Sequence, residues 1–199
     1  MYINPQCLEN RTPFYYYDLE LLENTLKALT KSSKKRGYHV HYAMKANTNE
    51  PILEVIREYG LGADCVCGNE VRRALSSGFT PESIVFAGAG KTDEEIEFAI
   101  QEGIFCFNCE SIQEIEVINE IAGELDAQVR IAIRVNPNVD ASTHQYITTG
   151  LNENKFGINL SQLDEVLHTL EQSSHVHLDG IHCHVGSQIT KLYVFRELC

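Results

Sequence analysis

Side chains able to do chemistry lie at the carboxyl ends of three of the strands that this sequence predicts. Lys45 stands in HYAMKANTNE, where strand-forming residues give way to a small polar loop. Arg134 and His184 occupy matching positions at the ends of two later strands. A lysine in a desolvated site loses its proton easily, and its neutral amine can condense with a carbonyl group. Taken alone, Lys45 has the alternative interpretation that it ends a strand in solvent.

Strand and helix patterns alternate from about residue 38 to the end of the chain. Short β-branched or aromatic runs are each followed by a turn and an amphipathic helix, and a further helix is predicted over residues 19–35. Thr92 with Glu95, and Ser111 with Glu114, have capping-box spacing. The predicted strands cover residues 38–43, 62–66, 83–87, 103–107, 129–135 and 177–183.

This alternation predicts βαβ units and a parallel sheet, either doubly wound or closed as a (β/α)8 barrel. The segment KANTNEP after the first strand contains no glycine, which disfavours a nucleotide-binding doubly wound sheet. We therefore predict an α/β barrel that is incomplete, with about six of the eight strand-helix units. Residues 1–35 would form an N-terminal strand and helix, and residues 36–199 a partial barrel.

The two faces of three predicted strands differ in polarity. Because side chains alternate along a strand, Lys45, Arg134 and His184 each lie opposite an apolar face. If helices cover the apolar faces, these three side chains project toward the barrel axis at the carboxyl ends of their strands, where barrel enzymes keep their catalytic residues. The apolar faces carry Val40, Tyr42 and Met44; Ile131, Ile133 and Val135; and Ile181, Cys183 and Val185.

Composition limits the classes of partner. The 199 residues include 16 basic and 28 acidic side chains, a formal charge of -12, which disfavours nucleic acid and anionic membrane surfaces and favours a small molecule or a protein. No apolar run is long enough to span a bilayer, and the first ten residues lack signal-peptide features, so we expect a cytoplasmic protein.

The seven cysteines are an odd number, and several lie in apolar runs, which favours reduced core thiols over a zinc or redox site.

Three further motifs have weak functional interpretations. FAGAGKTDEE resembles a phosphate loop around Lys91, but Val85 stands where its first glycine is required, so we predict a turn capped by Thr92. His182 and His184 face the same way, yet no further ligand has a persuasive spacing, so we predict no metal site. The Gly-Ser turn of VGSQI can offer backbone N–H groups and a hydroxyl to a phosphate.

Five motifs together resemble one family, the fold-type III pyridoxal-phosphate decarboxylases. In the family's order they are YAMKAN at residues 42–47, GAD at 62–64 with Glu70, IRVNP at 133–137, TGLNENKFG at 149–157 and HCHVGSQI at 182–189. The resemblance extends from Thr12 almost to the end of the chain. One departure is Cys67-Gly68-Asn69-Glu70, where the family usually has Ser-Gly-Gly-Glu.

The resemblance implies a pyridoxal 5'-phosphate site with assigned roles. Lys45 would hold the cofactor covalently and His184 would stack on its ring, and both would act in catalysis. Ser187 would bind the cofactor phosphate, and Gly186 would let the backbone come close. Asp64, Glu70 and Arg134 would form a charged set around the cofactor, with Arg134 and Asp64 paired and holding Lys45.

The resemblance also implies a reaction and an assembly. The long TGLNENKFG segment favours decarboxylation of meso-diaminopimelate to L-lysine over decarboxylation of ornithine, arginine or carboxynorspermidine. A non-catalytic cofactor-binding regulator is a further alternative, and a racemase is disfavoured by Thr48-Asn49 after the lysine motif. Family motifs that should complete the site, and a C-terminal β domain, would lie beyond residue 199. We therefore expect a homodimer for the full-length enzyme and little or no decarboxylase activity for these 199 residues alone.

Overall fold

The fold is described over residues 11–137, 156–187 and 189–199 of a computed structural model. Its helices are α1 (Leu19–Lys34), α2 (Glu50–Glu58), α3 (Gly68–Ser76), α4 (Asp93–Gln101), α5 (Ile112–Glu124), α6 (Leu163–Gln172) and α7 (Tyr193–Leu198). Its strands are β1 (His41–Ala43), β2 (Gly62–Cys65), β3 (Ile84–Phe86), β4 (Cys106–Cys109), β5 (Val129–Arg134) and β6 (Val176–His182). Short 3-10 turns cover Met44–Ala46, Pro81–Ser83 and Leu160–Gln162.

All strand pairs in this part of the chain are parallel, and the strands lie in sequence order from β1 to β6. A helix follows each of the first five strands before the next one begins. This order is that of a (β/α) barrel with six of its strands, so the predicted architecture is confirmed. Since the strands are parallel, their carboxyl ends all meet at one edge of the sheet.

Two predicted strands differ from the observed ones by more than one residue at an end. The first is shorter than residues 38–43, because the Tyr38 amide donates to the Ser33 carbonyl and belongs to the end of α1. The fourth was predicted over residues 103–107 and lies at Cys106–Cys109. Gly103 has φ +69° and donates to Ile100, so it ends α4 instead of beginning a strand.

The hydrophobic core lies between the sheet and its helices. Alternation is clearest in β5, where Val129, Ile131 and Ile133 are buried against the helices while Arg130 is exposed on the other face. Each fully buried aliphatic or aromatic side chain contributes about 1.5–3 kcal/mol. Fully buried side chains on the helix side of the sheet include Met44, Ile84, Phe86, Phe107 and Ile131, packed against Leu53, Ile56, Val71, Ile96, Ile115 and Ile118.

The apolar face predicted for β6 is only partly covered. Ile181 was expected under a helix but is 68% exposed, because α6 and α7 leave it uncovered in the described part of the chain. Val185, in contrast, is buried and packs against Val194 of α7. The helical part of the predicted N-terminal segment is α1. No strand lies within residues 11–18, and residues 1–10 are outside the described ranges.

Helix starts follow the predicted caps. Thr92 accepts from the Glu95 amide while the Glu95 carboxylate accepts from the Thr92 amide, which completes a capping box. Ser111 accepts from the Glu114 amide, but the Glu114 carboxylate binds other groups, so this second box is only half formed. None of the helices in the described ranges is long and apolar enough to cross a membrane.

Candidate active site

Lys45 lies at the carboxyl end of β1, in the 3-10 turn Met44–Ala46. Met44 is completely buried on the helix side of the sheet, and this anchor turns the next side chain to the opposite face. Lys45 is exposed in the described structure. The charge of Lys45 acts on Asp64 and His184, so the lysine lies at the predicted edge of the sheet. The desolvation expected for its amine is not provided by the described residues.

The loop after the lysine is held by side chains from three elements. The Tyr42 hydroxyl donates to the Asn47 carbonyl at 3.1 Å, and the Asn47 side-chain amide donates to the Tyr17 hydroxyl at 3.1 Å. From α3, Arg73 Nε donates to the Thr48 carbonyl at 3.1 Å. Because two consecutive backbone carbonyls after the turn are bound, the loop that follows the lysine is held in place.

Asp64 is the neighbour of Lys45 on the next strand. It pairs in register with Ala43, and its Oδ1 atom is buried with no hydrogen-bond partner among the described residues. Burial raises the pKa of Asp64, while the positive charge of Lys45 lowers it in opposition. Asp64 and Lys45 therefore lie at the ends of neighbouring strands, at the same edge of the sheet.

Glu70, on α3, also acts on Asp64. Burial is the main cause that raises the pKa of Asp64, and the charge of Glu70 raises it further, whereas Lys45 and His41 lower it. The Oε2 atom of Glu70 accepts from the Val66 amide at 2.8 Å. In this structure Glu70 therefore closes the turn between β2 and α3. A role in binding a cofactor stays a prediction for this residue.

Arg134, at the end of β5, pairs with Glu110 and not with Asp64. Its Nη1 atom lies 2.5 Å from Glu110 Oε1, and both side chains are nearly buried. The predicted Arg134–Asp64 pair is wrong because β5 neighbours β4, which Glu110 directly follows, whereas Asp64 is three strands away on β2. The guanidinium group also lies 5.6 Å from the centre of the Phe156 ring.

A second buried ion pair adjoins the first. Lys91, after β3, lies 2.5 Å from the Glu114 carboxylate on α5, and its side chain is 1% exposed. The other Glu114 oxygen accepts from the Glu110 amide at 2.7 Å. Sequence reasoning missed this role for both residues, since Lys91 was considered for a phosphate loop and Glu114 only for a helix cap.

Two histidines of β6 and the loop after it lie near Arg134. His182 pairs in register with Arg134, and its Nδ1 atom is buried with no hydrogen-bond partner among the described residues. Burial, helped by the charges of Arg134, His184 and Lys91, lowers the pKa of His182 to about 4. Burial also lowers the pKa of His184, and Arg134 and Lys45 lower it further. Both rings are therefore neutral at pH 7.

Gly186 and Ser187 follow His184 at the same edge of the sheet. Gly186 has φ +130°, a conformation that strongly favours glycine, and Ser187 is exposed. Val185 between them and the strand is buried against Val194, which anchors the turn. The turn can present a hydroxyl and backbone N–H groups to a bound anion, as the sequence predicts. Of TGLNENKFG, residues 149–155 lie outside the described ranges, as does Gln188.

The buried thiols are poorly suited to metal or redox chemistry. Burial raises the pKa of Cys106 to about 12, and it raises the pKa of Cys65 and Cys109 as well. Each of these thiols is therefore protonated at neutral pH. Over the described ranges, the structure contains no group of three or more His, Cys, Asp or Glu side chains that could hold a metal ion.

Lys45, His182, His184 and the Gly186–Ser187 turn all lie at the carboxyl edge of the six parallel strands. A family model described as the pyridoxal binding domain of pyridoxal-dependent decarboxylases matches residues 19–198. The chain belongs to this family.

Curated relatives within the family are named diaminopimelate decarboxylase. A diaminopimelate decarboxylase of Bacteroides thetaiotaomicron is 50% identical over 190 residues, which cover 95% of this chain and 49% of the relative. The corresponding protein of Aquifex aeolicus is 41% identical, with 94% and 44% covered. The chain spans about half the length of the curated relatives it matches.

Solved structures agree with the fold. A crystal structure of diaminopimelate decarboxylase from Helicobacter pylori, complexed with L-lysine, is 38% identical with a TM-score of 0.87, covering 97% of this chain and 49% of that one. An arginine decarboxylase of Paramecium bursaria Chlorella virus has a TM-score of 0.73 at 22% identity, with 87% and 44% covered, and supports the fold alone.

The residues at the carboxyl edge fit a pyridoxal phosphate group. An exposed amine on Lys45 is available to bind its aldehyde, and the turn at Gly186 and Ser187 suits its phosphate. Polar atoms buried without partners in the described ranges, Asp64 Oδ1 and His182 Nδ1, leave hydrogen-bonding capacity at the same edge.

Proposed function

We propose that the whole protein containing this chain decarboxylates meso-diaminopimelate to L-lysine with pyridoxal phosphate as cofactor. The observation that carries this proposal is the placement of Lys45 and the His184–Ser187 turn at one edge of the barrel, in a member of a pyridoxal-binding family. Relatives and solved structures named diaminopimelate decarboxylase support the choice of substrate.

Each residue at the edge has a separate task in this proposal. Pyridoxal phosphate, when bound, accepts the electron pair left on the α-carbon as the carboxylate departs as CO2. Lys45 Nζ would hold the cofactor covalently, and the Ser187 hydroxyl would bind its phosphate. The His184 imidazole is neutral, so it can stack on the ring without adding a positive charge there.

The charged residues hold this arrangement in place. Asp64 lies on the strand next to that of Lys45, and the charge of the lysine lowers the pKa of Asp64 in opposition to burial. Arg134 supplies a fixed positive charge close to His184, because Glu110 holds its guanidinium group. Fixed charges of this kind need no reorganisation during the reaction, which is how a preorganised site stabilises a transition state.

The test is an assay of the intact natural protein with pyridoxal phosphate and a panel of amino acids. We expect CO2 release and L-lysine formation from meso-diaminopimelate, with little release from ornithine, arginine or carboxynorspermidine. Lys45→Ala is the matched negative control. If another amino acid of the panel were turned over faster, the proposed substrate would be wrong and the proposed reaction, decarboxylation, would stand.

Cofactor binding is measured separately, by the visible absorbance of covalently bound pyridoxal phosphate. Binding without turnover of any panel member would support a regulator instead of an enzyme. Absence of binding by the intact protein would overturn the proposal altogether. We also propose a homodimer for the whole protein, on the family resemblance, and sedimentation equilibrium tests it.

A further inference from the structure

Lys91 is a buried cation whose hydrogen-bonding capacity is fully used. Its ammonium group donates to the Gly88 carbonyl at 2.8 Å, to the Asn108 carbonyl at 3.0 Å and to the Glu114 carboxylate. An ammonium group has three donors, and here each has an acceptor. Burying a charge is costly unless it is paired and bonded in this way, so the lysine is held in one position.

The position of Lys91 is transmitted to Arg134 through two carboxylates. Glu114 binds Lys91 with one oxygen and the Glu110 amide with the other, which fixes the backbone just after β4. The Glu110 side chain then accepts from Arg134. The four charged groups form a continuous chain of contacts across the ends of β3, β4 and β5, and their formal charges sum to zero.

We propose that Lys91 and Glu114 are positioning residues that hold Arg134, through Glu110, at the carboxyl edge of the barrel. Neither is among the side chains that would touch the cofactor. Their effect reaches the site because Arg134 has no freedom to leave the neighbourhood of His182 and His184 while Glu110 is fixed. The guanidinium group of Arg134, held by the fixed carboxylate of Glu110, supplies a positive charge at a defined position.

The decisive measurement is the side-chain order of Arg134 in the intact natural protein without cofactor, from NMR relaxation of its Nε–H group. In Lys91→Met we expect the order parameter to fall toward the value of about 0.6 or less that marks a flexible group. Because that variant leaves Glu114 as an unpaired buried charge and could unfold, Lys91→Met/Glu114→Leu is measured beside it. Replacing a buried pair by apolar side chains preserves stability in many proteins, and Arg134 should still loosen.

Ile118→Ala is the matched control. Ile118 is fully buried on α5, the helix that carries Glu114, and its truncation destabilises the protein without touching the charged chain. We expect Arg134 to stay ordered in this variant. An ordered Arg134 in the folded Lys91 variants, or equal loosening in Ile118→Ala, would overturn the proposal.

A second measurement connects the chain to the proposed function. If the protein binds pyridoxal phosphate as proposed, its affinity should fall by about tenfold, equivalent to about 1.4 kcal/mol, in the Lys91 variants and stay within about twofold in Ile118→Ala. Unchanged affinity with a loosened Arg134 would mean that Arg134 is positioned for another purpose. Since the order of Arg134 is read without cofactor, the positioning role is tested even if the proposed function fails.

Discussion

Two charged regions lie side by side at the carboxyl ends of the strands, and they are paired to different degrees. At the ends of β1 and β2, Lys45 is exposed and Asp64 Oδ1 has no hydrogen-bond partner in the described ranges. Across β3 to β5, Lys91 and Arg134 are nearly buried, each beside a carboxylate at 2.5 Å.

We infer from this difference that the first region binds a ligand and that the second region fixes the charges around it. An exposed amine beside an incompletely bonded carboxylate can engage a ligand with little rearrangement of the protein. A buried, mutually paired network is costly to rearrange, so it supplies a constant charge distribution around that ligand. If this comparison is correct, substitutions in the first region should affect chemistry more than stability, and those in the second should affect stability strongly.

The largest effect is expected from Lys45→Ala. This change should abolish covalent cofactor binding and lower the decarboxylation rate by at least about a thousandfold. Its free energy of unfolding should change by no more than about 0.5 kcal/mol, because an exposed side chain is removed. Visible absorbance, CO2 release and urea denaturation measure the three quantities. Lys27→Ala, the replacement of an exposed lysine on α1 that pairs with Glu23 at 3.1 Å, serves as control.

The opposite pattern is expected from Glu110→Leu in the buried region. Removing one partner of a buried ion pair costs about 3–5 kcal/mol, because Arg134 is left as an unpaired charge. Glu50→Leu is the control, since Glu50 pairs with Arg73 at 3.8 Å on the surface and such pairs contribute less than about 1 kcal/mol. Urea denaturation compares the two. Similar costs for both substitutions would remove the distinction between the regions.

The lowered pKa of His182, which lies beside the buried region, makes the stability of the protein depend on pH. Its pKa is lowered from 6.5 to about 4, so below pH 6.5 the unfolded chain binds more protons than the folded one at this residue. Stability should therefore fall as the pH is lowered from about 6.5 to about 4, by at most about 1.4 kcal/mol per pH unit. Urea denaturation across this range, in wild type and in His182→Gln, isolates the contribution. A slope that His182→Gln leaves unchanged would assign the effect to other groups.

The sequence predicted the exposed region better than the buried one, for a physical reason. Alternation along a strand places Lys45 and Arg134 on the face opposite Met44 and Ile133 without knowledge of any neighbour. All six strands were predicted from the same local pattern. Which charges meet across strands depends on register and strand order, and these are not local properties. The expected Arg134–Asp64 pair was wrong for that reason.

Glu110 escaped prediction through an error in strand position. The fourth strand was placed at residues 103–107, so its carboxyl end was expected two residues too early, and Glu110 did not stand out as a strand-end residue. Lys91 was missed because lysines are rarely buried, and only the Gly88 and Asn108 carbonyls, together with Glu114, make its burial possible. Those partners come from three separate segments of the chain.

The smallest expected effect separates the helix cap from the charged chain. Ser111→Ala removes the acceptor of the Glu114 amide and should cost about 1 kcal/mol, as should Thr92→Ala at the start of α4. Glu114 stays bound to Lys91 and to the Glu110 amide in Ser111→Ala, so Arg134 should keep its side-chain order by NMR relaxation. Loosening of Arg134 as great as in Lys91→Met would show that the start of α5, and not the buried lysine, sets its position. Thr92→Ala removes the cap of α4, a helix that carries none of the four charged groups. This variant shows how much a lost cap alone disturbs Arg134.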